Sequence, residues 1–202
     1  MTTQEKILTK ALQLFNEKGI EYVGMRELAT ALDMRIGNVT YYFPTKDDLV
    51  SEIAKGLSEL NARTIIQMDD LTMESFLFMM RKTFDNHSRY RCLLLSFVHI
   101  IGQNPIIAKN YKETQKTRNE TLKMNLLNLQ KNKFLKPVSD DELDFLVSSI
   151  SLIARFWISE ASVSFREWPE EAQKEHYVGM IARILLPYAT AKGKKEVEEF
   201  LQ

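Results

Sequence analysis

The stretch of residues 25–44 reads MRELATALDMRIGNVTYYFP, and it decides how this chain is organised. Apolar residues recur in it at helical spacing on both sides of a short break, which predicts two short helices, about 25–32 and 36–43. The apolar positions are Leu28, Leu32, Met34, Val39 and Tyr42. Ala29 supplies a small side chain where the two helices approach each other. This pattern is typical of a helix-turn-helix, in which two helices cross at about 90–120°.

The break between the two predicted helices falls at Asp33. A turn of this kind needs a residue in the left-handed backbone region, a position that glycine usually fills. Aspartate adopts that conformation more readily than most residues, because its short polar side chain can bond to the nearby backbone. We therefore expect Asp33 to occupy the left-handed turn position.

The flanking sequence predicts a further helix on each side. Upstream, an amphipathic helix begins after an N-cap at Thr2 or Thr3 and ends at Gly19. Downstream, Pro44 breaks the chain, and Thr45 followed three residues later by Asp48 resembles a capping box at the start of a fourth helix. Four helices therefore fit within about the first 50 residues.

The rest of the chain predicts more helices and no alternating strand. We expect them at about 73–87, 91–102, 106–133, 140–166 and 170–190, with a hinge in the polar stretch 61–72. The predicted fold class is therefore all-α. It consists of an N-terminal three-helix helix-turn-helix domain, residues 1–50, and a C-terminal helical bundle, residues 51–202.

Composition narrows the classes of function. The chain has 202 residues, 45% of them hydrophobic, with 27 cationic and 27 acidic side chains. This balance excludes a disordered or disulfide-stapled protein and gives no overall charge that would attract a polyanion. The apolar run 92–101 is shorter than the roughly 18 residues that cross a bilayer, and the N-terminus has no signal-peptide pattern. We therefore expect no membrane span and a cytoplasmic protein, with its single Cys92 buried.

The first 50 residues resemble the N-terminal DNA-binding domain of the TetR family. In that family the first helix ends in a glycine, the second carries an Ile/Leu-Ala pair, and a Tyr-x-x-Phe-like helix end precedes Pro-Ser/Thr-Lys-Glu/Asp-x-Leu. The matching positions are Gly19, Leu28-Ala29, residues 37–43 and residues 44–49. The resemblance implies a homodimeric, DNA-binding transcriptional regulator. We predict a repressor of a palindromic double-stranded operator, with recognition helices about 34–36 Å apart.

Eight residues are candidate DNA contacts: Arg26, Arg35, Gly37, Asn38, Thr40, Tyr41, Tyr42 and Lys46. Gly37 costs a helix about 1 kcal/mol relative to alanine, which favours a close approach of DNA to the backbone. Asn38 could reach an adenine edge, and Lys46 could meet a phosphate together with a helix N-terminus. We expect Tyr41 to be exposed, and Tyr42 to pack its ring while its hydroxyl faces a phosphate.

Three features depart from the family pattern. Asp33 stands where glycine is usual, Arg35 where a small capping residue is more common, and Gly24 where a Ser/Thr often precedes the second helix. Residues 1–50 also hold six cationic against seven acidic side chains. Each subunit can therefore make few phosphate contacts, and dimerisation must multiply them.

By resemblance, the C-terminal part binds an effector and dimerises. We predict a small, largely apolar effector in a pocket formed by Met79, His87, Phe97, His99, Tyr111, Arg155 and Phe156. The helix 140–166 has two apolar stripes, which require a cover on each side, and the second consists of Phe145, Leu152, Phe156 and Val163. The dimer interface is predicted from the first stripe and the last long helix: Leu146, Ile150, Ile153, Trp157, Tyr177, Ile181, Ile184 and Tyr188.

Other classes of function find little support. His87, His99 and His176 are not at metal-ligand spacing, and no nucleophile, phosphate loop or paired carboxylates stand in a convincing context. We expect no metal, no cofactor and no enzymatic activity. One alternative stays open, a DNA-binding regulator of the same fold without a small-molecule effector, acting as an architectural or partner-recruiting protein. An enclosed cavity would favour the sensor, and a filled core would favour the alternative.

Overall fold

The computed structural model describes all 202 residues, which form eleven α-helices and no β-strand, as predicted. The helices are α1 (Thr3–Lys18), α2 (Met25–Ala31), α3 (Ile36–Tyr42), α4 (Lys46–Thr64), α5 (Met73–Arg89), α6 (Arg91–Leu95), α7 (Phe97–Gln103), α8 (Pro105–Lys131), α9 (Asp140–Ser164), α10 (Glu170–Leu185) and α11 (Ala191–Phe200). A 3₁₀ turn, Leu186–Tyr188, precedes α11.

The chain forms two compact units. The first consists of Met1–Leu60 and Arg89–Lys112, and the second of Asn61–Ser88 and Glu113–Gln202. The first unit contains the whole of the predicted domain 1–50 and, in addition, α6 and α7. The continuous helices α4 and α8 each contribute residues to both units.

Local capping signals in the sequence fix the ends of the first helices. The Thr2 hydroxyl accepts a hydrogen bond from the Glu5 amide, and the Glu5 carboxylate accepts one from the Thr2 amide, which forms a capping box. Gly19 ends α1 with a φ of 93° while its amide bonds to the Phe15 carbonyl. At the start of α4, Thr45 and Asp48 bond reciprocally in the predicted manner, with the Asp48 amide 3.1 Å from the Thr45 hydroxyl.

Two predicted boundaries are wrong. The hinge expected at 61–72 begins later, because α4 continues to Thr64 and the Asn61 side chain is buried and hydrogen-bonded. The helix expected at 91–102 is two helices that meet at Ser96. In the first case the polar sequence suggested a hinge, but its polar side chains form hydrogen bonds inside the protein rather than with water, so the helix continues.

Helix α11 was not predicted from the sequence. The helix expected at 170–190 ends at Leu185, and after the 3₁₀ turn the polar sequence AKGKKEVEEF forms α11. Thr190 joins this helix to the end of α8, because its hydroxyl donates to the Lys133 carbonyl at 2.7 Å and its amide to the Phe134 carbonyl at 3.0 Å. Tertiary contacts therefore stabilise a helix that lacks a strong apolar pattern of its own.

Helix α9 lies in the second unit with its first apolar stripe turned inward. Leu146, Ile150 and Trp157 are buried within this single chain, and so are Tyr177 and Ile181 on α10. These five residues belong to the core of the unit, so their predicted place in a dimer interface is wrong. The error has a simple cause, since a helix that is apolar on two sides does not reveal which side its own bundle covers.

The second stripe of α9 faces outward. Phe145 is 59% exposed, Leu152 57% and Val163 82%, while Phe156 is half-buried. By length and composition, helix α9 is also long and apolar enough to cross a membrane. Its buried first stripe and a capping box at Ser139 and Glu142 are features of a helix that packs in a bundle.

Candidate DNA-binding site

The turn between α2 and α3 has the predicted geometry. Asp33 has a φ of 52°, in the left-handed region. Around it, the Met34 amide donates to the Ala29 carbonyl at 2.9 Å and the Asp33 amide to the Thr30 carbonyl at 3.1 Å. These bonds satisfy the last carbonyl groups of α2 and reverse the chain into α3. The tight turn fixes the direction in which α3 leaves α2.

Helix α3 has one buried face and one exposed face. Val39 and, just after the helix, Phe43 are buried together with Leu28 and Ala29 of α2. Because side chains one turn apart lie on the same side of a helix, the residues between these anchors point to solvent. The exposed face of α3 is therefore set by the same apolar positions that identify the helix-turn-helix in the sequence.

The structure places five predicted DNA contacts in the open. Arg26, Arg35, Gly37, Asn38 and Tyr41 are all exposed, and Tyr41 reaches 80% exposure as expected. No atom lies within 4 Å of the point where a Cβ on Gly37 would stand. Packing inside the chain therefore gives no reason for glycine at this position. No side-chain cap precedes α2 at Gly24 or α3 at Arg35.

Two candidates on α3 are less free. Thr40 is half-buried, and its hydroxyl donates to the Ile36 carbonyl at 3.1 Å, so only its oxygen lone pairs remain for an outside partner. Tyr42 is 40% exposed, and its ring meets the Tyr41 ring edge-on with centroids 5.1 Å apart. Tyr42 is thus less exposed than Tyr41 but is not buried in the core, and a phosphate contact through its hydroxyl remains a prediction.

Lys46 points inward in this structure. Its Nζ donates to the Glu21 carbonyl at 3.4 Å and lies 5.9 Å from the centre of the Phe15 ring. It lines a recess of about 160 Å³ in the first unit, together with Glu21 and His99. A phosphate contact through Lys46 would require the side chain to rotate away from this recess.

The Glu21 carboxylate links the α1–α2 connection to α7. Partial burial disfavours its charged form, but a hydrogen bond from the Ser96 hydroxyl and the charges of His99 and Lys46 outweigh this and hold the pKa of Glu21 below its usual value. On the surface nearby, Lys18 pairs with Glu27 at 2.6 Å, which raises the lysine pKa and lowers the glutamate pKa. These two acidic groups are therefore matched by neighbouring cations and polar groups.

One further residue, which was not among the predicted DNA contacts, lies on this surface. Ile36 opens α3 beside Arg35 and is 39% exposed. An apolar side chain at that place could contact the methyl group of thymine in the major groove. The sequence could have indicated this, because Ile36 is an apolar residue that does not fall on the core positions of the helix-turn-helix and is therefore expected on the surface.

The residues predicted to line an effector pocket fall in both units. In the second unit, Met79 and His87 are buried, and the guanidinium of Arg155 lies 5.8 Å from the centre of the Phe156 ring. In the first unit, the rings of Phe97 and Tyr111 meet with centroids 4.8 Å apart. His99 is exposed. A common pocket for these residues remains a prediction.

Comparison with known proteins agrees with the geometry of this site. A family model described as "Bacterial regulatory proteins, tetR family" matches residues 7–53. A second family model, described as "Bacterial transcriptional repressor", matches residues 57–197, which is more than half of the chain. The first match contains all of α2 and α3 and the start of α4.

One curated relative is "Probable HTH-type transcriptional regulator YttP" of Bacillus subtilis (strain 168), which is 36% identical over 63 residues. That match covers 29% of this chain and 30% of the relative, so it spans less than a third of the relative's length. A crystal structure of a TetR-family regulator from Marinobacter aquaeolei VT8 superposes over 100% of both chains with a TM-score of 0.91 and 21% identity. A regulator from Saccharomonospora viridis in complex with choline has a TM-score of 0.68 and 18% identity over 88% of this chain and 94% of its own. Identities this low support the fold alone.

Proposed function

The chain belongs to the TetR family of bacterial transcriptional regulators, and from this premise we propose that it is a dimeric repressor that a small effector releases from a palindromic operator. DNA binding and transcription regulation come with the family. The direction of regulation, the effector and the residues that carry each step are our proposal.

The exposed face of α3 carries this proposal. Asn38 and Tyr41 stand on one short helix with Arg35 at its start, while Gly37 leaves the backbone open to a close approach. Amide, phenol and guanidinium groups can bond to base edges and phosphates, and the major groove admits a helix of this size. We assign base readout to Asn38 and Arg35, and backbone contacts to Arg26, Thr40, Tyr41 and Tyr42, with Lys46 joining after it leaves its recess.

The outward stripe of α9 is our candidate dimer surface. Phe145, Leu152 and Val163 recur at helical spacing, and all three are more than half exposed. A contiguous apolar stripe of this kind favours a protein partner over solvent. A second copy fits best, because a two-fold axis would place the same stripe against itself and set two copies of α3 against the two halves of a palindrome. Ile153, Ile184 and Tyr188 are half-buried and stay in the proposed interface.

Effector control completes the proposal. The matching description of residues 57–197 as a transcriptional repressor supports repression. We propose a small, largely apolar effector in the helical second part of the chain, where a coupling of about 1–3 kcal/mol to the operator site would be enough to control release. A regulator of this kind acts where the chromosome is, so we place it in the cytoplasm and assign it no turnover.

The experiment is a fluorescence anisotropy titration of operator DNA, selected by the wild-type protein from a random pool, over a range of salt concentrations. We expect Arg35→Ala to weaken binding to the selected DNA by about tenfold and to reduce its preference over scrambled DNA, since a bidentate contact to a base is worth about 1–3 kcal/mol of discrimination. Tyr41→Phe, which removes one exposed hydroxyl, should weaken binding less.

Two variants serve as matched controls. Tyr22→Phe removes the hydroxyl of an equally exposed tyrosine outside α2 and α3, and Arg166→Ala removes an exposed arginine in the second unit. Both should bind as the wild type does. The proposed role of α3 is wrong if Arg35→Ala and Tyr41→Phe bind selected DNA as tightly as these controls do.

A further inference from the structure

A chain of polar side chains runs through the core of the second unit. The indole Nε1 of Trp157 on α9 donates to Nδ1 of His87 on α5 at 3.2 Å. The other ring nitrogen of His87, Nε2, lies 3.2 Å from the side-chain amide of Asn61 at the end of α4. Asn61, His87 and Trp157 are all buried, so water does not satisfy these groups.

The chain continues along the end of α4. The Asn61 amide meets the Asn86 amide at 3.0 Å, and Asn86 in turn meets the Thr64 hydroxyl at 2.9 Å. Asn61 and Thr64 are one turn apart on α4, whereas Asn86 and His87 are neighbours on α5. Four hydrogen bonds therefore connect α9, through α5, to the last turn of the helix whose first residue is Lys46.

Trp157 fixes the tautomer of His87 and, through it, the orientation of the Asn61 amide. An indole can only donate, so His87 Nδ1 must accept, and the proton of the neutral ring must lie on Nε2. As placed, the Asn61 Nδ2 faces His87 Nε2, and the Asn86 Nδ2 donates to the Asn61 oxygen and to the Thr64 hydroxyl oxygen. A protonated Nε2 needs an acceptor, so the oxygen and nitrogen of the Asn61 amide must exchange places, and those of the Asn86 amide with them. After that exchange the Asn61 NH₂ group donates to the Asn86 oxygen.

These hydrogen bonds have only one arrangement while the His87 ring is neutral. Burial lowers the pKa of His87 to about 3, and the charge of Arg118 acts in the same direction, so the ring stays neutral at physiological pH. The Trp157 ring stacks on Phe84 with centroids 4.9 Å apart and planes 3° from parallel, which holds the indole donor in place. A fixed donor at one end and a single tautomer in the middle leave one arrangement of the two amides.

We propose that His87 is a positioning residue for operator binding, which holds the end of α4 in register with α9 through this one-directional hydrogen-bond chain. The proposal rests on the proposed function, since it concerns how the candidate dimer helix and the DNA-binding domain are connected. A movement of α9 would change the direction or length of these hydrogen bonds and thereby shift the end of α4. A ligand that supplied its own acceptor to His87 Nε2 would break the chain at Asn61.

The first test measures the polarity directly and needs no DNA. In full-length protein labelled with ¹⁵N-histidine, the His87 signals are identified by their loss in His87→Gln. We expect Nδ1 to resonate as an unprotonated nitrogen and Nε2 as a protonated one, with no titration between pH 8 and pH 5. A proton on Nδ1, or a titration midpoint near 6.5, would overturn the proposal.

The second test measures operator affinity by anisotropy on DNA selected by the wild type. His87→Leu removes both bonds and should weaken binding about tenfold, which is a typical allosteric coupling. His87→Gln can accept from Trp157 and donate to Asn61, so we expect it to stay within about twofold of wild type. Asn61→Leu should match His87→Leu, and the double variant should lose no more than either single one.

Thr83→Val is the matched control, because Thr83 is buried one turn earlier on α5 and its hydroxyl donates to the Met79 carbonyl within that helix. Equal losses in Thr83→Val and His87→Leu would show general core damage and refute the positioning role. So would a full effect in His87→Gln, or none in His87→Leu. A wild-type protein that selects no DNA would instead refute the proposed function, and the NMR result would still decide the polarity.

Discussion

At the scale of single residues, the turn of the helix-turn-helix shows what a sequence can determine. The left-handed backbone at Asp33 was predictable because few residue types accept a positive φ. Of the residues between the two predicted helices, Asp33 is the one that adopts this conformation most readily. The exposure of Tyr41 followed from helical spacing against the buried Val39. Both features depend on local geometry, and local geometry is what residue spacing encodes.

Other residues depend on neighbours that are distant in the chain. His99 stands in an apolar run but is exposed, while Lys46 turns towards Glu21 and Phe15 instead of outward. The bonds of His87 to Asn61 and Trp157 span 26 and 70 residues. Such partners follow from tertiary packing and leave no periodic signal in the sequence.

The burial of His87 has a consequence for stability that depends on pH. In the unfolded chain His87 takes up a proton as the pH falls through 6.5, whereas in the folded protein it stays neutral down to about pH 3. Its contribution is therefore fully present above pH 6.5 and is lost on acidification at up to about 1.4 kcal/mol per pH unit.

Urea unfolding at pH 7 and pH 5 measures this effect in wild type and in His87→Gln. The wild type should lose more stability than the variant between the two pH values, by about 2 kcal/mol. Equal losses in the two proteins would mean that His87 is protonated at its ordinary pKa in the folded state.

At the scale of helices, strong caps and apolar stripes were read correctly, and tertiary contacts account for the errors. The starts of α1 and α4 carry capping boxes that the sequence displays. The extension of α4 to Thr64 depends on Asn61 finding buried partners, and α11 depends on the end of α8. Both helices depend on contacts with residues that are distant in the sequence, and such contacts cannot be predicted from the sequence of one helix alone.

The packing of α11 on the α8 terminus predicts a sharp sensitivity at Gly193. A Cβ at this position would lie 2.1 Å from the Phe134 carbonyl oxygen, a backbone atom that cannot move aside alone. We expect Gly193→Ala to lower the free energy of unfolding by about 2–3 kcal/mol or to detach α11.

Gly102→Ala is the matched control, since nothing lies within 4 Å of the corresponding Cβ position on α7. Urea denaturation followed by circular dichroism compares the two variants with wild type. If Gly193→Ala proved as stable as Gly102→Ala, the placement of α11 against Phe134 would be wrong.

At the scale of the whole molecule, the all-α fold was predicted correctly, but the two apolar stripes of α9 were not. The stripe predicted to form the dimer interface packs in the core, and the other one is exposed. The stripe with Leu146, Ile150 and Trp157 belongs to the core, and the stripe with Phe145, Leu152 and Val163 is exposed. Helical periodicity defines both stripes equally well. Only the folded chain shows which one its own helices cover.

The exposed stripe predicts the effect of a charge on assembly. Leu152→Glu would place a carboxylate on the proposed two-fold interface in both copies, and the loss of two buried leucines should raise the dimer dissociation constant about 100-fold. Sedimentation velocity over a range of protein concentrations measures it. Val98→Glu alters an exposed valine on α7 and should leave the dimer intact; a dimer equally stable in both variants would place the interface elsewhere.

The central claim is that a dimer presents two copies of α3 to two half-sites on one face of the DNA. Anisotropy titrations on the selected palindrome, and on the same duplex with about 5 base pairs inserted at its centre, test it most directly. The insertion turns one half-site to the opposite face of the duplex, so we predict a fall in affinity to the level of a single half-site. An affinity that the insertion leaves unchanged would contradict the account.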